Sequence, residues 1–421
     1  MTNFIYKLQN ITRIDFINFL ILFYAFTLSF PGEFKRLTTI AIIILWLSDK
    51  NRFNIENNKI SNIFLIFGIF ICYTFMSFLW TNATFIESFD YIRKYWYLLP
   101  VVAIYKYMKF ENIKLAISLF LAGIFISEVF SYGNYFGIWE IGKGTQSNPT
   151  VFMYHTFYSI FLALTSVLLL VKILIEKDLK IKLIYIIFFI TVTMNLLINV
   201  GRTGQISLIL TIMLIITIYF KSKFKYLIYT LLSLILIFIL NYNFNSNFNK
   251  RMNFIKSDIN QILHKNNYTT SIGGRIGFWI LSKEIISDNL KNFIVGVGSK
   301  QNILIAKQLV DNQYPELSYT KELNHFHSTY LSIITQFGII GLIIFLYVIY
   351  KILIIKIKNT EINLIKYAVI SIFLMSSLVE VPFYKDSPLS LFSFFLGLIL
   401  ESKKYEDALY LNKFNINNIK N

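Results

Sequence analysis

Residues 325–350 read HFHSTYLSIITQFGIIGLIIFLYVIY, a polar, titratable cluster joined directly to an uncharged apolar run. The run 329–350 is long enough to cross a bilayer as one helix, which takes about 20 mostly apolar residues. The cluster holds His325 and His327, two of only 4 histidines in the chain. A stretch built this way presents a titratable group at the edge of a membrane, and the remaining chain reads as the scaffold that presents it on one side.

Composition agrees. The 421 residues are 56% hydrophobic, with 42 Phe and 6 Pro, and mean hydropathy is +0.58. Soluble domains rarely exceed about half apolar residues. The apolar residues come in blocks, not in the alternating segments of about ten residues that make a membrane barrel. The expected fold is therefore an all-α polytopic membrane protein. In such a chain the net charge of +17 reports topology first, and nucleic acid is not an expected partner. Cys72 lies within an apolar run and supports neither a disulfide framework nor a thiolate metal site. No small-residue cleavage site follows the first apolar run, which reads as a retained helix.

About twelve transmembrane helices are expected, at 14–30, 37–48, 61–80, 95–109, 115–132, 156–173, 182–200, 204–220, 225–241, 329–350, 364–381 and 387–401. The run 37–48 is short, but loop charge supports it. With the N-terminus inside, Lys106, Lys109 and Lys114, then Lys172, Lys177 and Lys180, then Lys351, Lys356 and Lys358 all fall on the cytoplasmic side, where positive charge is retained. Dropping one early span would reverse them. The expected organisation is about nine N-terminal spans in 1–241, a large outer loop at 242–328, about three spans in 329–401 and a cytoplasmic tail at 402–421. Within the loop, Ile276, Trp279, Ile280, Ile285 and Ile286 recur at helical spacing and predict a helix over 275–288. Gly296-Val297-Gly298 predicts a turn, and 301–312 a second amphipathic piece. A loop this long is usually functional.

Three polar residues need a reason. Arg202 sits in Gly201-Arg202-Thr203-Gly204, a minimal outer turn. It either snorkels and anchors its helix or holds an anion against exposed backbone N–H groups. Arg275 follows Gly273-Gly274 at the expected start of a helix, where a cation opposes the macrodipole by roughly 0.3–1 kcal/mol. A bound anion reverses that penalty; the alternative is an exposed loop arginine without a role. His327 precedes the span 329–350, and a helix N-terminus keeps an imidazole neutral, which suits a general base. The alternatives are a polar capping residue, or a metal site made with His325 and Glu322. Gly338 lies eleven residues after His327, close to three turns, so the two are expected on one helix face, with Gly341 a turn further for close helix packing. Weaker candidates are His325 itself, Arg93 and Lys94 before an aromatic Tyr95-Trp96-Tyr97 belt, and Glu380 and Asp386 around the last outer loop, where a carboxylate can orient the histidine. No P-loop, Gly-x-Ser-x-Gly elbow or Asp-x-Asp pair occurs.

His327-Ser328, nine residues, Gly338, two residues and Gly341 match the pattern H-[NSQ]-x9-G-x-x-[GTY], and here the chain resembles the O-antigen ligases. That family sits in a superfamily with O-antigen polymerases and bacterial O-oligosaccharyltransferases. Arg202 and Arg275 match its outer-turn and loop arginines, and the resemblance covers about 200–345. It implies a glycosyltransferase with a large periplasmic loop in the inner membrane of a Gram-negative bacterium. The implied donor is a polysaccharide on undecaprenyl pyrophosphate, and the implied acceptor a sugar hydroxyl of lipid A–core. It further implies no metal and no nucleotide, His327 as base, and Arg202 and Arg275 as pyrophosphate ligands. A polymerase or a protein O-oligosaccharyltransferase fits the same chemistry. A lipid-linked oligosaccharide flippase fits less well, because it needs polar residues near the bilayer midplane, and the charges cluster at helix ends and in the outer loop.

Overall fold

A computed structural model describes residues 12–51, 58–142, 144–221, 224–244 and 246–419. The last two residues of the expected tail lie outside that set. A helix occupies each of the twelve expected spans: α1 (Arg13–Thr27), α2 (Gly32–Leu47), α3 (Asn58–Met76), α5 (Pro100–Tyr107), α6 (Ile113–Tyr135), α7 (His155–Ile175), α8 (Leu179–Ile198), α9 (Arg202–Tyr219), α10 (Phe224–Phe244), α15 (Thr329–Leu353), α16 (Thr360–Ser377) and α17 (Asp386–Ile419). The short α4 (Phe85–Ile92) lies between the third and fourth of these. No strand occurs among the described residues; one isolated bridge joins Thr145 and Asn148.

Six stretches are long and apolar enough to cross a membrane: Ile60–Leu79, Phe110–Tyr135, His155–Ile175, Leu179–Ile198, Arg202–Tyr219 and Thr329–Leu353. The chain is an all-helical protein of multi-pass character. By this measure six of the twelve expected spans qualify among the described residues. The physical reasons are plain: α1, α2 and α5 have 15, 16 and 8 residues, and α16 contains Glu361 and Lys366.

Local sequence explains the helix starts. Thr12 and Asp15 form a reciprocal capping box at α1. Asp178 caps α8 by accepting from the N–H groups of Lys180 and Ile181, and Asn359 caps α16. Helix α7 is the centre of the bundle. It packs against α8, α9 and α16, and Phe161, Leu162 and Leu164 are completely buried. Helix α9 approaches α7 closely because Gly201 and Gly204 face Ser159: a Cβ on Gly204 would stand 2.1 Å from the Ser159 carbonyl oxygen. The Gly204 N–H donates to Ser159 Oγ at 3.1 Å. Gly204 therefore serves helix packing, and its N–H is not open to an anion as the turn motif suggested.

The segment between α10 and α15 is helical almost throughout: α11 (Ser246–Lys265), α12 (Ser271–Ser287), α13 (Leu290–Val295), α14 (Gln301–Asn312) and a 3-10 segment at Pro315–Glu322. The Asn-rich opening expected to be loop is largely helix, and the tail after residue 401 continues α17. This cap has its own apolar core of Phe278, Leu281, Ile285, Val297, Val310 and Leu317, which Phe326 and Leu331 join.

The cap is fastened to α15 at a break in that helix. Gly338 has φ 65° and ψ −170°, outside helical space. The expected alignment of His327 and Gly338 on one continuous helix face is therefore wrong. A break leaves upstream carbonyls without their intrahelical donors. The cap supplies two of the replacements: Val297 N–H donates to Thr335 O at 3.0 Å and Gly298 N–H to Gln336 O at 2.9 Å. Tyr73 Oη donates to Phe337 O at 3.1 Å. Gly296 and Gly298 adopt φ of 76° and 94° to make that approach, in the left-handed range glycine tolerates. The Gly-Val-Gly turn and Gly338 are two halves of one clamp.

Charge is also buried within the helices. Lys35, Glu128 and Lys366 are 2%, 2% and 1% exposed. Lys366 Nζ donates to the carbonyls of Leu353 and Ile355 at the end of α15, at 3.0 and 2.6 Å. Lys35 Nζ reaches Ser387 Oγ at 2.7 Å. These lysines act as packing contacts between helix ends.

Candidate active site

His327 is held between two anchors. On one side, Phe326 is 1% exposed in the cap core, its ring 4.7 Å from that of Phe278. On the other, Ser328 caps α15 by accepting from Leu331 N–H, and its Oγ donates to Ser377 O at 3.1 Å. His327 therefore precedes the helix, in a left-handed conformation with φ 43°. Such a backbone is uncommon outside glycine and persists only where neighbours over-determine it.

The anchors aim the ring at Glu380. His327 Nδ1 lies 3.2 Å from Glu380 Oε1. Glu380 is 4% exposed, and its own carbonyl accepts from Thr329 N–H and Oγ1 at 3.0 and 3.2 Å. A carboxylate only accepts, so Nδ1 carries the proton in this pair. Nε2 then presents a lone pair. This is the arrangement of a general base oriented by a second carboxylate. Of the two last-loop acids considered from sequence, Glu380 is the one that reaches the histidine.

Arg275 comes to the same carboxylate, its Nη2 3.9 Å from Glu380 Oε1. Helix α12 starts four residues earlier than expected, capped by Thr270 accepting from Gly273 N–H at 3.0 Å. Arg275 thus sits in the second turn, not at the helix start, and the dipole penalty assigned from sequence is smaller there. Burial draws its guanidinium pKa down, Glu380 opposes this, and the nearby positive charge of Arg202 lowers it further. The charge of Arg202, the first residue of α9, reaches Arg275; Arg275 and not Arg202 lines the cleft that holds His327.

His325 is part of the same cluster. Its ring lies 4.1 Å from that of His327, and its Nδ1 accepts the His327 backbone N–H at 3.3 Å. Burial, followed by the charges of His327, Lys385, Lys300 and Arg275, pushes its pKa down to about 2. His325 is a neutral structural acceptor for the strained backbone of His327.

These groups open into a cleft of about 490 Å³. Its walls include Tyr154 and His155 from the start of α7, Arg275 from the cap, Tyr319 and Glu322 from the 3-10 segment, and Lys385. Burial lowers the Lys385 pKa, while Glu380 supports its charge. Arg93, Lys94 and Asp386 are not in this cleft and line a separate groove. Tyr319 and Tyr154 were not found from sequence; neither lies in a motif, and only the fold brings them together.

The donor atoms of His325, His327 and Glu380 lie within 4.8 Å of one another, close enough to hold a metal ion. The third member is Glu380, not the Glu322 considered from sequence. The surrounding charge opposes a dication: Arg275 already lies at 3.9 Å from Glu380, and Lys385, Lys300 and Arg275 all act on His325.

A histidine–carboxylate pair beside an arginine, on a helical scaffold, is an arrangement that can abstract a proton near an anionic group. Residues 186–346 match the family described as O-antigen ligase, which supports a member of the O-antigen ligase/polymerase superfamily. The matched segment contains Arg202, the cap, His327 and the Gly338 clamp. No curated protein matches the chain.

Proposed function

We propose that this chain is an O-antigen ligase. It transfers a polysaccharide from undecaprenyl pyrophosphate to a sugar hydroxyl of lipid A–core, at the periplasmic face of the inner membrane of a Gram-negative bacterium. The observation that carries the reading is the shared carboxylate: Glu380 Oε1 stands 3.2 Å from His327 Nδ1 and 3.9 Å from Arg275 Nη2. One acid thus orients the base and helps place the cation that receives the leaving group.

In the reaction, the acceptor oxygen attacks the anomeric carbon and its proton passes to His327 Nε2. The bond from that carbon to the pyrophosphate oxygen breaks, with inversion at carbon. A pyrophosphate leaving group needs cations more than protonation. Arg275 and Arg202 serve it, each charge-assisted contact contributing about 1.5–3 kcal/mol. Tyr154 and Tyr319 offer rings to the sugars. No metal takes part in this scheme, although the His325–His327–Glu380 cluster favours testing that point directly.

The test is transfer from purified carrier-linked glycan to lipid A–core with EDTA present, for wild type and His327→Ala. Retained wild-type activity and loss in the variant are expected. Activity abolished by EDTA and restored by one metal would replace the scheme with a metal-assisted one. In cells, His327→Ala is expected to leave rough lipopolysaccharide with polymer stranded on its carrier. Smooth lipopolysaccharide with short polymer would point to the polymerase reading, and loss of glycoprotein alone to protein transfer.

A further inference from the structure

Across the Lys385-Asp386 turn from the cleft lies a second groove of about 770 Å³. Lys385 lines the cleft and its neighbour Asp386 lines the groove, so the two cavities share a wall. The groove has two unlike kinds of lining. Arg36, Arg93 and Lys94 bring three positive charges to it, with Asp386 the acid among its lining residues. Asp90 pairs with Arg93 from outside the lining at 2.5 Å. Most of the remaining lining is apolar or aromatic. Phe75 and Phe89 are 43% and 44% exposed, and Ile71 and Phe75 lie on the membrane-length stretch Ile60–Leu79. Large apolar faces on such a stretch meet acyl chains, not water. Trp96, half-buried in the same lining, has the amphipathic character of a ring at the headgroup level.

Cations beside exposed aromatic and apolar residues of a membrane-length stretch suit one kind of occupant: a bilayer amphiphile carrying a phosphate on its head. A soluble phosphate would leave the aromatic wall unused. A transfer between two lipids must hold both at once, and the cleft already provides Arg275 for the donor's pyrophosphate.

We propose that this groove binds the phosphate-bearing head of the acceptor lipid and presents its sugar hydroxyl across the Lys385-Asp386 turn to His327. The assignment of the lipid as acceptor rests on the ligase reading above. Arg93 and Lys94 carry acceptor affinity, and they contribute nothing to the donor or to the chemical step. Lys94 lies near enough to Lys385 for their charges to interact.

The experiment uses full-length protein in nanodiscs and the double variant Arg93→Gln/Lys94→Gln. Binding of fluorescent, doubly phosphorylated lipid A is measured alongside transfer kinetics. The variant is expected to bind lipid A about tenfold or more weakly, a loss on the scale of one charge-assisted contact. Its KM for lipid A–core should rise by the same factor, with donor KM and kcat at saturating acceptor unchanged. Dephosphorylated acceptor should weaken the wild type and leave the variant indifferent. Phosphatidylglycerol at equal mole fraction should not displace lipid A; displacement would mean a site for bulk anionic lipid and overturn the acceptor assignment. Unchanged acceptor affinity, or an equal rise in donor KM, would sink the proposal while His327→Ala inactivity still upheld the ligase. Loss of lipid A binding in a protein without transfer to lipid A–core would retain the lipid site and reject the ligase reading.

Discussion

Gly338→Ala tests the clamp that sets the cap on the bundle. At φ 65° and ψ −170° the backbone lies in a region open to little besides glycine, and an alanine there costs about 1–3 kcal/mol. The new Cβ would also stand 2.2 Å from the Ile294 carbonyl oxygen, so one half of the clamp must move. If the 294–298 turn retreats, the bonds from Val297 and Gly298 to Thr335 and Gln336 weaken, at about 0.5–1.5 kcal/mol each. Together these give roughly 2–6 kcal/mol, a large share of an ordinary stability of about 5–15 kcal/mol. For a chain of this length the melting midpoint in detergent should fall by about 2–7 °C. Hydrogen exchange should rise at Val297 and Gly298 before it rises elsewhere. Gly296→Ala, whose Cβ would stand 2.4 Å from the Gln336 carbonyl carbon, disturbs the same contact. The double variant should therefore cost less than the sum of the singles. Gly68→Ala is the control, since nothing lies within 4 Å of its added Cβ. A Gly338→Ala protein that melts with the wild type and keeps its Val297 and Gly298 protection would refute the clamp.

Other outcomes follow from the site. Glu380→Gln keeps the backbone carbonyl that Thr329 uses but loses the charge facing His327 and Arg275; kcat should fall about 10–100-fold, and a change under twofold would mean that the carboxylate does not orient the base. Arg275→Gln should raise donor KM and lower kcat/KM by more than tenfold, with Arg275→Lys intermediate because an ammonium lacks the planar fork; equal activity in all three would remove Arg275 from the leaving-group site. His325, with its pKa pushed down to about 2, is neutral when folded and titrates near 6.5 when unfolded. The unfolded state then binds more protons between those values, so stability falls as pH drops below about 6.5, by at most roughly 1.4 kcal/mol per unit. His325→Gln should flatten the melting-versus-pH curve between pH 6.5 and 4.5, and an unchanged slope would contradict the buried neutral assignment.

Much of this was legible from sequence because hydropathy encodes length and charge encodes ends. A helix lies in each expected span, and Arg275 does come to the carboxylate that faces His327, whereas Arg202 does not line that cleft. The misses have specific causes. A single broken residue leaves hydropathy unchanged on either side, so Gly338 reads as helical periodicity when its torsion angles say otherwise. Gly273 and Gly274 read as a turn before a helix, whereas Gly274 lies 3.1 Å from the Tyr319 ring by its added Cβ and serves packing inside the helix. Segment 246–265 forms α11, and Phe248, Met252, Ile255, Ile259 and Ile262 do recur at helical spacing there, a stripe masked by the many polar residues between them. Sequence placed Glu380 and His327 on the same side of the membrane, but 53 positions separate them, and only the fold selects this acid over Asp386.

The base is therefore not positioned by the helix it appears to begin. His327 takes its place from two bodies: Phe326 commits the chain to the cap core, and Ser328 and Thr329 commit it to α16 and the Glu380 backbone. A left-handed residue between two such anchors can relax only if one lets go. Arg275 belongs to the cap, while Arg202 and Glu380 belong to the bundle. The distance between base, carboxylate and arginines is thus a measure of cap docking. The glycine clamp between 296–298 and 335–338 is what holds that distance, which explains why the spacing from His327 to Gly338 matters even though the two share no helix face.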